Sequence, residues 1–357
     1  MPRTQTRRLF LSTLAGAAGV AATSPAIPSE AERYPDPATE FEIVRLTSPS
    51  HTSVLPAYCC QGVSRHANFL VYMNDRSGSM QVYRMDLKTG ESHELTSGAR
   101  LDTGALTLTP DERTIIYGDG DEVVQEHIGS LHRRTLDRGG AVQSVSISID
   151  GTHVIAVTDE GGRSRIRLIS TGRPGASTVL ESKDAITDAA PRPKRDSILY
   201  RRGGDLMLVN YDGAQKRRLP TAPGRAGPAL WSADGRTILY LNFPERGKQL
   251  NNIRELNPDT NEERLVSNTT QYVDFARNGD ASVFTGASGS KASPYVFLLV
   301  RSVRRELTLC EHRASDPSRV SPVFSPNSQR VFFQSDRHGK LAIYMVRVDR
   351  LVEQTES

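Results

Sequence analysis

The sequence is poor in the residues that cross-link small domains or span membranes, and each shortage excludes a class of protein. It contains three cysteines, Cys59, Cys60 and Cys310, which are too few for a disulfide framework. It has no CxxC or HxxxH pair of the kind that holds a metal. It also lacks an apolar run long enough to cross a bilayer. What remains indicates a mostly β chain without a membrane span.

The excess positive charge is concentrated at the start of the chain. Residues 1–28 contain Arg3, Arg7 and Arg8 but no acid, so the rest is close to neutral and predicts no nucleic-acid partner. This segment has a basic start, an apolar middle and a small-residue exit, which is typical of a secretory signal. Paired arginines ahead of the apolar run are typical of a bacterial twin-arginine signal; an ordinary secretory signal is the alternative. We therefore predict a signal peptide at 1–28, the twin-arginine export machinery as a partner, and a periplasmic or secreted bacterial protein.

One pattern recurs seven times along the chain. A polar turn is followed by an apolar run that has a Tyr, a Phe or a small apolar residue eight positions after the first turn residue. The copies end at Tyr72, Tyr117, Ala156, Tyr200, Tyr240, Phe284 and Phe333. A period of about 40 to 50 residues with several short strands per unit is typical of a β-propeller blade. We therefore predict an all-β, seven-bladed propeller at 41–350, after a linker at 29–40 and before a C-terminal tail at 351–357. A β-sandwich or two unrelated β-domains would not demand a fixed register seven times.

Two stretches near the start of the propeller carry further predictions. The strand within residues 42–47 has no blade of its own, so we expect it to pair as the outer strand of the last blade and to close the ring. The stretch "AYCCQGV" is predicted to be the innermost strand of the first blade, beginning at Tyr58. Cys59 and Cys60 would alternate faces on that strand and are interpreted as buried structural thiols.

One face of such a propeller gathers the loops that enter the innermost strands and the loops between second and third strands. These loops carry several bases and few acids. Because Arg binds carboxylates in a bidentate manner, we expect an anionic ligand there. The alternative is that these are solvated loop charges. The candidate ligand-binding residues are Arg100, Arg138, Asp188, Arg225, Gln271, Arg313 and Arg319.

Specific segments also carry a family resemblance. The blade pattern resembles the TolB-type repeat, and the chain from about 41 to 348 resembles the oligogalacturonate lyases, the pectin-degrading propellers of polysaccharide lyase family 22. The segments are "RLTSPSHTSVLPAY" at the opening, "LTLCEHRASDPS" before the last blade and "VFSPNSQRVFFQSDRHGKLAIY" at the close. The resemblance implies β-elimination on a uronate. A base takes the C5 proton, while a divalent metal, typically manganese, and an Arg offset charge on the carboxylate.

The residues that the resemblance implies for metal and base are replaced in this chain. In the family a His-Pro-His segment, with a Gln shortly before it, supplies metal ligands. The matching segment here is "DPSRVSP", with Asp316, Arg319 and Ser321. The family's base His is matched by Asp188, and a further His by Pro228, which has no ligating side chain. We therefore expect no manganese bound by the family's ligand set.

His51, Tyr58 and His312 remain as catalytic candidates, with Arg313 beside the last of them as a carboxylate clamp. His suits a base because its ordinary pKa lies near neutrality. The alternative is that both histidines tie the ring closure together by hydrogen bonds. Three functions stay open: a lyase on an acidic oligosaccharide with an altered site, a propeller that binds uronates without catalysis, and a TolB-like periplasmic module that binds a protein or peptide.

Overall fold

The computed structural model describes residues 25–173, 175–245 and 249–355, so most of the predicted signal peptide lies outside the described residues. Within them the chain forms seven antiparallel sheets, six of them made of strands that follow one another in sequence and one that combines strands from both ends of the chain. These sheets are the blades of a propeller, and the predicted all-β, seven-bladed fold is confirmed. In this part of the chain no helix is long and apolar enough to cross a membrane.

The strands are numbered along the chain, and each blade is given from the channel outwards. Two strands precede the first blade: β1 (Glu32–Pro35) and β2 (Glu42–Arg45). Blade 1 comprises β3 (Ser53–Val54), β4 (Phe69–Asn74), β5 (Gln81–Asp86) and β6 (Ser92–Glu94). Blade 2 comprises β7 (Leu101–Leu108), β8 (Thr114–Asp119), β9 (Glu122–His127) and β10 (Arg133–Arg138). Blade 3 comprises β11 (Ala141–Ile147), β12 (His153–Glu160), β13 (Arg163–Ser170) and β14 (Ala176–Ser182).

The remaining blades follow the same order. Blade 4 comprises β15 (Ile186–Pro191), β16 (Ser197–Arg202), β17 (Asp205–Asn210) and β18 (Arg217–Arg218). Blade 5 comprises β19 (Arg225–Trp231), β20 (Ile238–Phe243), β21 (Asn252–Leu256) and β22 (Glu263–Asn268). Blade 6 comprises β23 (Tyr272–Arg277), β24 (Val283–Ser288), β25 (Tyr295–Val300) and β26 (Arg305–Glu311). A 3₁₀ turn (Pro317–Arg319) leads to blade 7, made of β27 (Val323–Phe324), β28 (Arg330–Ser335) and β29 (Ala342–Arg347), and then of β2 and β1.

The ring is closed by strands from the start of the chain. β2 pairs antiparallel with β29, as predicted for residues 42–47. β1 then pairs with β2 and adds a fifth strand to the last blade. Part of the predicted linker at 29–40 is therefore a strand of the propeller. Further upstream, Ile27 forms a β-bridge with Ser92 in the outermost strand of the first blade. The segment thus crosses the seam between the last and first blades and covers sheet edges that would otherwise be open.

One backbone hydrogen bond marks the same hairpin in every blade. The N–H of the first turn residue donates to the carbonyl five residues later, and the donors are Ser64, Thr109, Ser148, Arg192, Ser232, Asn278 and Ser325. Six of these donors begin predicted copies of the repeat. In blade 6 the predicted copy began at Ala276, two residues too early. The aromatic position of that blade therefore falls on Gly286 rather than Phe284, and the ring of Tyr272 fills the space where a side chain on Gly286 would lie.

The core consists of apolar layers between neighbouring blades. The aromatic residues of the repeat are almost fully buried there, namely Tyr72, Tyr117, Tyr200, Tyr240 and Phe333. Valine, isoleucine and leucine from adjacent sheets pack around them, as where Val71 and Val82 of blade 1 meet Leu106 and Ile115 of blade 2. Burying such side chains contributes about 1.5–3 kcal/mol each. Because these buried positions recur at the same place in the repeat, they fix how far each innermost strand extends along the channel.

The innermost strand of blade 1 is short, and the chain beyond it enters the channel. The stretch predicted as a strand from Tyr58 is instead a turn, in which the Cys60 N–H donates to the Ala57 carbonyl over 2.7 Å. We call residues 55–62 the plug loop. Within it the Cys60 thiol donates to the Val145 carbonyl of blade 3 over 2.9 Å, and the Tyr58 hydroxyl accepts from the Ala229 N–H of blade 5 over 3.3 Å. The three cysteines are free thiols, and Cys59 and Cys60 are half-buried.

Candidate functional site

Each blade has an equivalent position beside the channel, four residues before the donor of the hairpin hydrogen bond that recurs in every blade. These positions are Cys60, Ala105, Ser144, Asp188, Pro228, Asp274 and Ser321, and we call them the channel ring. In five blades the innermost strand is bulged next to this position. Such bulges re-aim side chains and occur often beside active sites. Asp188 and Ser321 have φ values of 53° and 42°, which residues other than Gly adopt at some cost.

Asp188 of the channel ring holds an arginine that the sequence did not single out. Arg201 lies on β16 opposite Thr187, and its Nε donates to the Asp188 carboxylate. The two side chains are 20% and 19% exposed, so the pair is shielded but reachable. Among the described residues, the Arg201 guanidinium forms this one hydrogen bond, and it does so through Nε. The two Nη groups therefore keep the fork of donors that suits a carboxylate.

Asp274 is the second acid of the channel ring and is 5% exposed. Burial raises the pKa of its carboxyl to about 7, and the negative charge of Asp188 acts in the same direction. The Phe275 N–H, 2.8 Å away, the Ser321 hydroxyl and the positive charge of Arg201 lower this pKa and limit the rise. Asp274 therefore exchanges its proton near neutral pH, where a general acid or base works best.

Tyr58 projects from the plug loop toward the same charges. Burial, followed by the negative charge of Asp188, raises the pKa of its phenol well above the ordinary value. The hydroxyl accepts a hydrogen bond from the Ala229 N–H and keeps its own proton at neutral pH. Tyr58 is therefore suited to donate a proton or a hydrogen bond rather than to act as a base.

The two candidate histidines lie elsewhere. His312 is fully buried, with Nε2 2.9 Å from the Ser288 carbonyl oxygen and Nδ1 accepting from the Ala314 N–H over 3.1 Å. Burial lowers its pKa, so the ring is neutral and joins blade 6 to the loop before blade 7. His51 is 37% exposed, and its Nδ1 lies 3.7 Å from the Asp75 carboxylate. Among the described residues no hydrogen bond or ion pair connects either histidine with Tyr58 or Asp188. This geometry supports a structural role for His312, which lies away from the seam that closes the ring.

The arginines predicted to bind a ligand are dispersed over the face. Three of them pair with an acid, as Arg100–Asp121, Arg138–Glu122 and Arg313–Glu311. The guanidinium of Arg225 lies over the Phe243 ring, 4.2 Å from its centroid. Arg319 is exposed at the end of the 3₁₀ turn, and Gln271 precedes β23 with a φ of 52°. Exposed pairs of this kind contribute little to stability, so these side chains can exchange their partners for a ligand.

The plug loop divides the channel into two chambers. The upper chamber opens on the face where the innermost strands begin and has a volume of about 480 Å³. Its lining includes Cys59, Ser144, Asp159, Thr187 and Asp188. A ligand in this chamber meets the Asp188 carboxylate, which on its other side accepts a hydrogen bond from Arg201.

The donors of the channel ring do not fit a manganese ion. Manganese is bound by carboxylate, carbonyl and imidazole donors. Pro228 and Ala105 supply no ligating side chain, and the Arg201 guanidinium already pairs with Asp188. Across residues 25–173, 175–245 and 249–355 there is no group of three or more His, Cys, Asp or Glu placed to hold a metal. The expectation that manganese is not bound through the family's ligand positions stays a prediction.

Sequence reasoning missed Arg201 and Asp274. The shift of the sixth repeat by two residues hid the equivalence of Asp274 with Asp188, because both lie four positions before the same hairpin bond. Counting back from Asn278 instead of Ala276 would have revealed it. Arg201 has a weaker signal, since an arginine at the end of a blade's second strand is also common on exposed surfaces.

Comparisons with known proteins agree with this architecture. No protein-family model matches the chain. It is 21% identical to the oligogalacturonate lyase of Dickeya dadantii, with 88% of this chain and 95% of that protein covered. A solved structure of an oligogalacturonate lyase in complex with manganese superposes with a TM-score of 0.83 at 20% identity, over 91% of this chain and 98% of that one. The Tol-Pal system protein TolB of Nitratidesulfovibrio vulgaris is 28% identical over 38% of this chain and 29% of its own length.

The fold and the channel ring thus define a seven-bladed propeller with a site at its axis. Within that class, the resemblance predicted from the sequence is confirmed. The chain is an oligogalacturonate-lyase-like propeller along nearly its whole length, with TolB-like repeats in part of it.

Proposed function

We propose that this protein binds an acidic, uronate-containing oligosaccharide at the channel ring and cleaves it by β-elimination without a metal held there. The observation that carries the proposal is the grouping of Arg201, Asp188, Asp274 and Tyr58 around the axis. Asp188, Pro228 and Ser321 of the same ring are positions for which the resemblance implies a base and metal ligands. A site with a cation, a base and a proton donor has the groups that elimination needs.

Each group has a distinct part in the proposed reaction. The Nη groups of Arg201 bind the uronate carboxylate and offset the charge that builds up when the C5 proton leaves. Asp188 positions that guanidinium through Nε. Asp274, in its ionised form, takes the C5 proton. The C4–O4 bond breaks, its electron pair departs with O4, and a C4=C5 double bond forms. Tyr58 donates a proton to the leaving oxygen.

The test is turnover of defined substrates by the purified protein. Oligogalacturonates, rhamnogalacturonan fragments and glucuronate-containing oligomers are incubated with and without manganese, and the conjugated product is followed by ultraviolet absorbance. We expect product without added metal. Asp274→Asn and Arg201→Gln should abolish it, whereas Arg236→Gln, which changes an arginine with an 82% exposed side chain on the opposite face, should leave the rate within about twofold.

The outcomes separate the alternatives. Binding of a uronate oligomer without product would replace the lyase by a non-catalytic uronate-binding propeller. Absence of both binding and turnover would favour a TolB-like module that binds a protein or peptide. Activity that appears with manganese alone and survives Asp274→Asn would contradict the proposed base.

We also propose export by the twin-arginine route into the periplasm or beyond, on the basis of Arg7 and Arg8 in the predicted signal peptide. Replacing both by Lys keeps the charge but removes the guanidinium pair. Cell fractionation should then find the protein retained in the cytoplasm. Unchanged export would favour an ordinary secretory signal.

A further inference from the structure

We propose that the lower chamber of the channel is a second binding site, which takes a small carboxylate with an apolar body and holds it on Arg277. This chamber opens on the face opposite the upper chamber. The turns of the hairpins that recur in every blade lie on that face. The plug loop forms its inner end through Tyr58, Cys59, Cys60 and Gln61. Its volume of about 350 Å³ is at the lower end of the range for small-molecule pockets.

The walls of the lower chamber are mostly apolar. They include Ile147, Leu230, Trp231 and Phe324, together with prolines at the rim. Arg277 is the charged residue of this lining, and no Asp or Glu is part of it in the described chain. A ligand in the chamber therefore meets apolar side chains together with neutral polar groups, and one positive charge. This differs from the upper chamber, whose lining in the described chain carries two acids, Asp159 and Asp188, and no arginine.

The Arg277 guanidinium is held rigidly by backbone carbonyls. Its Nε donates to the Trp231 carbonyl over 2.9 Å, and its Nη1 donates to the Asn278 and Gly279 carbonyls over 2.9 and 2.8 Å. In the described part of the chain Nη2 forms no hydrogen bond, and the guanidinium forms no ion pair with a carboxylate. The geometry leaves one edge of the guanidinium unoccupied at the chamber wall.

Among the described residues, Arg277 has no paired carboxylate, whereas a comparable arginine has one. Arg192, which is more deeply buried, places both Nη groups on Asp259 over 2.8 and 2.7 Å. Burial lowers the pKa of Arg277, and the acids that oppose this effect, Asp280 and Asp234, lie outside the lining. A shielded cation without a paired anion is unfavourable, and an anion from solution would offset that cost. Apolar walls around the cation favour a carboxylate attached to an aromatic or short aliphatic body over a sugar or a phosphate.

The chain carries its own reporter for this test. Trp231 is the single tryptophan of the sequence and lines the lower chamber, so its fluorescence reports occupancy there directly. The probe is benzoate, and benzamide serves as the neutral analogue of the same shape. We expect a saturable change in fluorescence with benzoate and at least about tenfold weaker binding of benzamide, because the charge-assisted contact is lost.

Two variants assign the effect to Arg277. Arg277→Gln should weaken benzoate binding about tenfold or more, while Arg236→Gln, which changes an arginine with an 82% exposed side chain on the same face, should bind like the unaltered protein. Arg201→Gln, which changes the partner of Asp188 outside the lower chamber, should also bind benzoate normally. Equal binding of benzoate and benzamide by the unaltered protein would overturn the proposal, even if Arg277→Gln failed to fold. Unchanged benzoate affinity in a folded Arg277→Gln variant would overturn it as well.

Discussion

Asp274→Asn tests the electrostatics of the channel ring through protein stability, independently of any substrate. In the folded protein the pKa of this carboxyl is raised from the ordinary 3.8 to about 7, chiefly by burial. The protonated form is therefore the favoured one in the folded chain. Between these two values the folded state binds more protons than the unfolded state, so stability falls as the pH rises. Above about pH 7 this loss of stability is complete, and the contribution of Asp274 to the free energy of unfolding no longer changes with pH.

The size of the effect follows from the gap between the two pKa values. One pH unit corresponds to about 1.4 kcal/mol, so the full gap corresponds to about 4 kcal/mol. Between pH 5 and pH 8 the ionisation of Asp274 should lower the free energy of unfolding by about 3 kcal/mol. Asparagine has nearly the same shape and cannot ionise. We therefore expect Asp274→Asn to gain about 3 kcal/mol relative to the unaltered protein over this range.

The measurement is urea unfolding of both proteins at pH 5, 6, 7 and 8, with the difference in unfolding free energy plotted against pH. Asp184→Asn, which changes an exposed carboxyl in the connection between blades 3 and 4, provides the control and should show a flat difference. A flat difference for Asp274→Asn would refute the reasoning, because it would mean that the carboxyl ionises as freely in the folded protein as in water. A difference with the opposite slope would mean that Arg201 dominates burial at this site.

Three further predictions concern the site and its scaffold. Arg201→Gln should weaken uronate binding about tenfold to a hundredfold in calorimetry, and Arg201→Lys should restore little of it because the ammonium lacks the bidentate fork. His312→Ala should lower the free energy of unfolding by about 2–4 kcal/mol, whereas His51→Ala should change it by less than about 0.5 kcal/mol; equal costs would contradict the different burial of the two rings. In the same urea assay, Pro228→Ala should lower the free energy of unfolding by less than about 1 kcal/mol, because this side chain faces the channel. Tyr240→Ala should lower it by about 3–5 kcal/mol, because this side chain fills the core between blades.

The fold could be predicted from the sequence because its determinants are local and repeated. Each blade requires the same polar turn and the same apolar spacing, so seven weak signals at one period become a strong one. The closing strand was predictable because an unpaired apolar strand must find an edge. The additional strand β1 was not, since "ERYP" has neither the length nor the alternation of a typical strand. It forms because β2 offers it a free edge.

The site was less predictable because its residues meet through the ring and not along the chain. Tyr58 and Ala229 lie in different blades, yet they share a hydrogen bond inside the channel. The plug loop has the sequence of a strand, with Tyr and two cysteines in succession, and tertiary contacts override that propensity. Asp274 could have been placed by exact registration of the repeat. Its raised pKa could not, because burial and the charge of Asp188 depend on the assembled channel.

The architecture allows the likeness to the lyases to extend along nearly the whole chain while the side chains of the channel ring vary. The core lies between blades and is fixed by the repeated aromatic positions, such as Tyr200 and Tyr240. The channel ring lies on bulges at the inner edge, outside those layers, so its side chains can change without opening a cavity in the core. A change of side chain there, as at Asp188 or Ser321, alters the charge of the axis but not the packing of the blades. Arg201 then supplies a fixed positive charge on the same axis, which is the electrostatic requirement that any uronate elimination at this position has to meet.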